Sequence, residues 1–235
     1  MSSSTFTLVL ESYADISHDM RRFTFRRPAG LSFRPGQYGI FSFPGGSLSR
    51  PFTFASSPRD DMLEICVKKV GEFTTQLFSA HEGDQLYVKA PLGETLVFEG
   101  DEKEDIVMVA GGSGITPFLS MLRYARQAGL TNRFTLFYGN RTREDIPQLD
   151  VLGQGWWENL VIHHVLSDED VEGYGRGHVT KDRLSGHVDG PTERRWYVCG
   201  PPAMNQSVTN ALRDLGVPSG LIHEERWQLP GKHDE

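Results

Sequence analysis

The chain is poor in cysteine, with two thiols, Cys66 and Cys199, in 235 residues. Two thiols cannot build the disulfide framework of a small secreted domain, so a reducing cytoplasm is the expected compartment. They also fall short of the four thiolates that hold an iron–sulfur cluster. Long apolar runs are missing too. No stretch approaches the roughly 20 residues that cross a bilayer, so no membrane span is expected. Met1 to Thr5 holds neither a basic region nor an apolar core, and no secretory signal is expected. Excess positive charge is absent: the formal net charge is −7, which argues against nucleic acid as the main partner. The adjacent pair His163–His164 lies in a strand pattern, which sends its side chains to opposite faces. No metal site is expected.

What remains is a packable composition, 38% hydrophobic and 23% charged. The most informative stretch is Gly111-Gly112-Ser113-Gly114-Ile115-Thr116-Pro117, directly after the apolar run Ile106–Ala110. A buried strand, a glycine loop and a helix start in that order make an anion site. Glycines let the backbone approach another molecule, and the first N–H groups of the helix point at it. Pro117 suits the first helical turn, where an N–H is not needed.

Residues 1–98 read as short strands separated by turns. Phe6, Leu8 and Leu10 alternate with Thr7, Val9 and Glu11, Leu63, Ile65 and Val67 alternate with Glu64, Cys66 and Lys68, and Phe23 and Phe25 flank Thr24. Tyr38 to Phe43 is also strand-like. Turns fall at Pro28-Ala29-Gly30, Pro35-Gly36, Pro44-Gly45-Gly46 and Glu82-Gly83-Asp84, which suggests an antiparallel β-barrel or sandwich. A helix is expected over 74–80. Residues 99–105, almost all charged, read as a solvated linker between two domains.

From 106 to 235 the period changes. Strands are expected at 106–110, 134–138, 160–166, 195–199 and 221–227, with helices over 115–126 and 201–215. Alternating strands and helices predict a doubly wound parallel sheet of the α/β class. Loops at Gly111, Gly139, Ser167 and Gly200 all follow strands and should meet in one crevice.

Three stretches in order, Arg50-Pro51-Phe52-Thr53, Gly112 to Pro117 and Cys199-Gly200-Pro201-Pro202-Ala203-Met204, resemble the ferredoxin–NADP reductase family of flavin oxidoreductases. The resemblance covers essentially the whole chain. It implies a flavin-binding β-barrel domain over 1–98 and a nicotinamide-nucleotide domain over 106–235. It also implies roles for individual residues. Arg50 would neutralise the flavin pyrophosphate, Phe52 would stack on the isoalloxazine in place of the family's tyrosine, and Thr53 would hydrogen-bond flavin N5. Pro51, Ile65, Val67, Lys68, Gly71, Phe73 and Thr74 would complete the flavin site, with Thr74 capping its helix. Gly112 and Gly114 would face the dinucleotide pyrophosphate and Thr116 the nicotinamide. Arg141 is either a dinucleotide ligand or a surface charge. Cys199, followed by Gly200 and Pro201, would sit beside the reacting nicotinamide carbon, and Glu225 would help position that ring. Trp227 stands where the family has phenylalanine.

The resemblance further implies FAD as the flavin. Where NADP-specific relatives carry serine and arginine, this chain has Ser167-Asp168-Glu169-Asp170. Three carboxylates repel a 2′-phosphate and suit a free ribose hydroxyl, so NADH is preferred, with NADPH possible through Arg141 and Arg143. The expected activity is an NAD(P)H-dependent flavin reductase feeding a ferredoxin-like or oxygenase acceptor. Arg21, Arg22, Arg26 and Arg27 form a candidate docking patch for an acidic carrier. A free-flavin or ferric reductase, or a non-catalytic flavin-holding subunit, would fit the same motifs.

Overall fold

The computed structural model describes residues 3–225. Its first half contains β1 (Ser4–Asp15), β2 (Met20–Arg26), β3 (Tyr38–Ser42), β4 (Ser49–Thr53), β5 (Met62–Lys68), α1 (Glu72–Phe78) and β6 (Gln85–Leu92). The six strands form one antiparallel sheet in the order β4-β3-β6-β1-β2-β5. The sheet curls until its edges meet: just beyond β4, Ala55 N–H donates to Glu64 C=O of β5 at 2.7 Å. Strand alternation turns Leu8, Leu10, Phe23, Phe25, Phe41, Ile65 and Val88 into one interior core. The expected antiparallel β-barrel is therefore seen, as a curled sheet of six strands.

The second half contains β7 (Ile106–Gly111), α2 (Thr116–Ala128), β8 (Phe134–Asn140), β9 (Leu160–Leu166), β10 (Gly175–Arg176), α3 (Lys181–His187), β11 (Arg195–Cys199), α4 (Pro202–Asp214) and β12 (Ile222–Glu224). All neighbours in the order β10-β9-β8-β7-β11-β12 run parallel. Strand β7 is buried on both faces, as the unbroken apolar run requires. Its Ile106, Met108 and Ala110 face α2, while Val107 and Val109 face Leu184 of α3 and Val208 and Leu212 of α4. No helix among the described residues is long and apolar enough to cross a membrane.

The two halves share a core. Ile16, Met20, Leu96 and Phe98 from the first half pack with the α2 side of the second sheet. Polar contacts pin the seam. Ser120 Oγ donates to Ser56 C=O at 2.6 Å, and Arg123 reaches Ala55 C=O at 3.1 Å and Glu64 at 2.6 Å. This fixed seam holds the cleft beside it in shape.

Some expectations need correction. The helix expected over 74–80 runs Glu72–Phe78, with Gly71 as its cap. Thr74 is its third residue: Oγ1 accepts from the Val70 and Gly71 N–H groups, both at 2.9 Å, and donates back to Gly71 C=O. Helix α3 and strand β10 carry too few apolar residues to be found by periodicity. Segment 99–105 has no regular structure but is tied down. Glu104 and Asp105 pair with Arg195 and Arg194, and Glu102 accepts from the Tyr197 hydroxyl at 3.1 Å.

Candidate functional site

One cleft runs along the seam and holds two joined cavities. The first, about 710 Å³, is lined by Arg50, Pro51, Phe52, Thr53, Val67, Gly71, Phe73 and Thr74 on one wall and by Gly112, Gly114, Thr116, Cys199 and Gly200 on the other. The second, about 520 Å³, is lined by the ends of the parallel strands: Gly111–Ser113, Gly139–Arg141, Ser167 and Gly177–Val179. Lys68, Gly111, Gly112, Ser113 and Pro201 border both. Phe52 and Cys199, from opposite halves of the chain, thus face one space.

The chain builds this meeting place through glycine. A Cβ on Gly114 would overlap the Cys199 carbonyl, and one on Gly200 would overlap Met204. The glycines therefore let the loops after β7 and β11 touch each other. Gly112 differs: its φ is +51° and nothing lies within 4 Å of where its Cβ would be, so its backbone faces open cavity. Thr116 Oγ1 donates to Ser113 C=O at 2.9 Å and closes the turn that starts α2.

The first cavity suits a flavin dinucleotide. Arg50 is exposed and bonds Ser49 C=O at 2.8 Å, with no carboxylate partner among the described residues. Its charge is available to a pyrophosphate. Phe52 and Phe73 pack 5.8 Å apart and give the wall an aromatic surface. Thr53 is almost fully buried beside them. Ile65 lies in the barrel core and does not line the cavity; Cys66 and Val67 do. The alternation that turns Ile65 inward leaves only backbone at that position for a ligand. Cys66 is buried, and burial pushes its thiol up to about 12.

In the second cavity two cations are already held. Lys68 pairs with Asp19 at 2.7 Å, and Arg141 with Asp145 at 3.0 Å. Asp19, Asp145 and His18 bring ligand atoms within 4.8 Å of one another, but these ion pairs claim both carboxylates. Of the acidic run, Ser167 lines the cavity while Asp168 is exposed at its edge, accepting from Ser167 Oγ at 2.7 Å. Glu169 and Asp170 are paired with Arg143 and Arg176. The local charge is therefore much less negative than three bare carboxylates.

Cys199 is buried, and burial first, then the Glu225 charge, raises its thiol far above the ordinary range. It is no thiolate nucleophile. Glu225 sits behind the cavity wall and does not line it. Burial pushes its carboxyl up to about 7. Trp227 lies outside the described residues.

The arginine patch does not exist as such. Arg21 pairs with Asp15, Arg22 with Glu64 and Arg26 with Glu11, while Arg27 caps the carbonyls of Leu31, Pro58 and Asp60. Alternation along β2 points neighbours to opposite faces, so charges adjacent in sequence are not adjacent on the surface. The sequence reading also missed Asp19, Asp145 and His178. None stands in a motif, and only folding carries them to the cavity.

Comparison with known proteins agrees with this architecture. Residues 7–96 match the model of the oxidoreductase FAD-binding domain, and residues 108–210 that of the oxidoreductase NAD-binding domain. The chain is 30% identical over 229 residues to the probable dihydroorotate dehydrogenase B (NAD(+)) electron transfer subunit of Thermococcus kodakarensis, covering 95% of this chain and 85% of that one. The chain belongs to the ferredoxin–NADP reductase family. It is an oxidoreductase built to use FAD and a nicotinamide coenzyme. It is also 29% identical over 220 residues to the naphthalene 1,2-dioxygenase system ferredoxin–NAD(P)(+) reductase component of Pseudomonas putida. That match covers 92% of this chain and 66% of the relative. In three dimensions it resembles the Amycolatopsis cytochrome P450 reductase GcoB, with a TM-score of 0.83 at 25% identity, covering 96% of this chain and 71% of that one.

Proposed function

We propose that the chain takes hydride from NADH, using bound FAD, and passes electrons to a separate one-electron carrier. The observation that carries this reading is the single cleft lined by Phe52 and Thr53 from one half and Cys199 and Gly112 from the other. When bound, FAD would supply the conversion of the electron pair of one hydride into single electrons.

Every other task falls to side chains. Arg50 holds the flavin pyrophosphate, and Phe52 covers one face of the ring. Thr53 offers its hydroxyl to the edge that accepts hydride. Cys199 packs beside the nicotinamide as a neutral thiol. Gly112, with open backbone, receives the coenzyme pyrophosphate, and Asp168 favours the free ribose of NADH over the phosphate of NADPH. The shared core keeps the two walls aligned, which is how orientation lowers the barrier.

The proposed acceptor is a ferredoxin or an oxygenase component, in line with the name of the Pseudomonas putida relative, and the two buried cysteines are too few to ligate a cluster of their own. The cytoplasm is the proposed compartment, from the same scarcity of thiols. A second reading comes from the Thermococcus relative, whose name is that of an electron transfer subunit. One experiment separates the two. Purified protein should be yellow, and NADH should bleach it anaerobically without any partner. A colourless protein that binds no added FAD would refute the flavin assignment. Absence of bleaching by either coenzyme would favour the subunit reading.

A further inference from the structure

Behind the first cavity lies a cluster of charges that the hydride step does not use. Arg22 of β2 and Cys66 of β5 stand directly opposite each other in the antiparallel ladder, so their side chains share one face. Strand alternation puts Glu64 on that face too. Helix α2 adds Arg123, whose Nη1 donates to Glu64 at 2.6 Å. Arg22 Nε lies 3.7 Å from the same carboxylate. All three are largely withdrawn from water, with side-chain exposures of 33% for Arg22, 16% for Glu64 and 14% for Arg123. Arg22 Nε itself is buried and makes no hydrogen bond.

One carboxylate cannot neutralise two guanidinium groups. Asp150 comes within 3.8 Å of Arg123, but it is exposed and water screens it. The cluster therefore keeps a surplus positive charge in the seam. Cys66 stands between that charge and the cavity, whose wall it lines together with Phe52 and Thr53. Burial dominates the Cys66 thiol. After burial, Arg123, Glu64 and Arg22 act on it in that order, the arginines favouring a negative charge and the glutamate opposing it.

A surplus positive charge has a definite effect at such a place. Hydride from NADH delivers two electrons and one proton, so one negative charge arrives at the flavin site as NAD+ leaves. A nearby cation favours the reduced form of the ring over the oxidised form, and a low dielectric lengthens its reach.

We propose that Arg22 tunes bound FAD toward its reduced state, acting with Glu64 and Arg123 across Cys66. This rests on the reading of the first cavity as the flavin site.

The test compares Arg22→Gln, Arg22→Lys and Glu64→Gln with the parent protein. Two quantities are measured: the reduction potential of bound FAD, by anaerobic equilibration with a reference dye, and the melting temperature of each apoprotein. At a fixed ambient potential, Arg22→Gln should lower the ratio of reduced to oxidised FAD about threefold to tenfold, the latter being about 30 mV for a two-electron couple. Glu64→Gln should raise that ratio, and Arg22→Lys, which keeps the charge, should match the parent. Opposite signs are the signature of charge, because loss of either partner lowers the melting temperature alike. An unmoved potential in Arg22→Gln would overturn the proposal, and so would equal shifts in Arg22→Gln and Arg22→Lys, which would make Arg22 a packing residue. A shift of Glu64→Gln in the same direction as Arg22→Gln would also overturn it. Should Glu64→Gln fail to fold, the two Arg22 variants decide alone. If the parent protein bound no FAD, the flavin reading itself would be wrong and this inference would fall with it.

Discussion

Gly114 lies against the main-chain carbonyl of Cys199 so closely that no other residue fits between them. This contact joins the loop that follows β7 to the loop that follows β11. Both walls of the coenzyme side of the cleft depend on it.

Gly114→Ala should therefore destabilise the fold by about 1–3 kcal/mol, because backbone, not a flexible side chain, must yield. Gly112→Ala should cost about 1 kcal/mol, from the left-handed conformation alone. Urea unfolding of both variants checks the ranking. Equal stability of Gly114→Ala and the parent would contradict the contact.

Arg50→Ala should reduce FAD retention about tenfold to a hundredfold, the worth of hydrogen bonds to a charged group. The apoprotein should keep its melting temperature, since the guanidinium's bond is to its neighbour Ser49. Flavin content after gel filtration and titration of the apoprotein with FAD measure this.

Asp168→Arg should move the ratio of kcat/KM for NADPH over NADH upward by about tenfold, one charge-assisted bond gained. Glu169 and Asp170 are already neutralised, so Asp168 is the carboxylate whose reversal changes the field most. Steady-state reduction of ferricyanide with each coenzyme gives the ratio. No change would remove Asp168 from coenzyme selection.

Glu225 links pH to stability. Its carboxyl is raised from 4.5 to about 7 by burial, so between these values the native state holds more protons than the unfolded chain. Stability should fall as pH rises through that window and level off above it. Glu225→Gln should flatten the profile and stabilise the protein at pH 8 by about 2–3 kcal/mol, with little change at pH 4. Denaturation at three pH values tests the sign. If the variant loses stability at pH 8, the ionised carboxylate has a partner that holds it.

The glycine run after Ile106–Ala110 and the motif at Arg50 were legible because each is a local pattern with a local physical cause. The resemblance implies a flavin role for Ile65, but its side chain lies in the barrel core while Cys66 and Val67 line the cavity. The four arginines between 21 and 27 look free in the sequence, but each is engaged by a carboxylate or by main-chain carbonyls that only folding brings near.

The amino-acid order by itself determined two modules, an antiparallel sheet followed by a parallel one, because hydrophobic period and turn chemistry act over a few residues. It also placed the chemistry at strand ends, where glycines and helix starts must fall. Only the tertiary structure decided which charges remain free. Pairing of Lys68 with Asp19, Arg143 with Glu169 and Arg123 with Glu64 joins residues far apart in the chain, and an ion pair depends on distance in space.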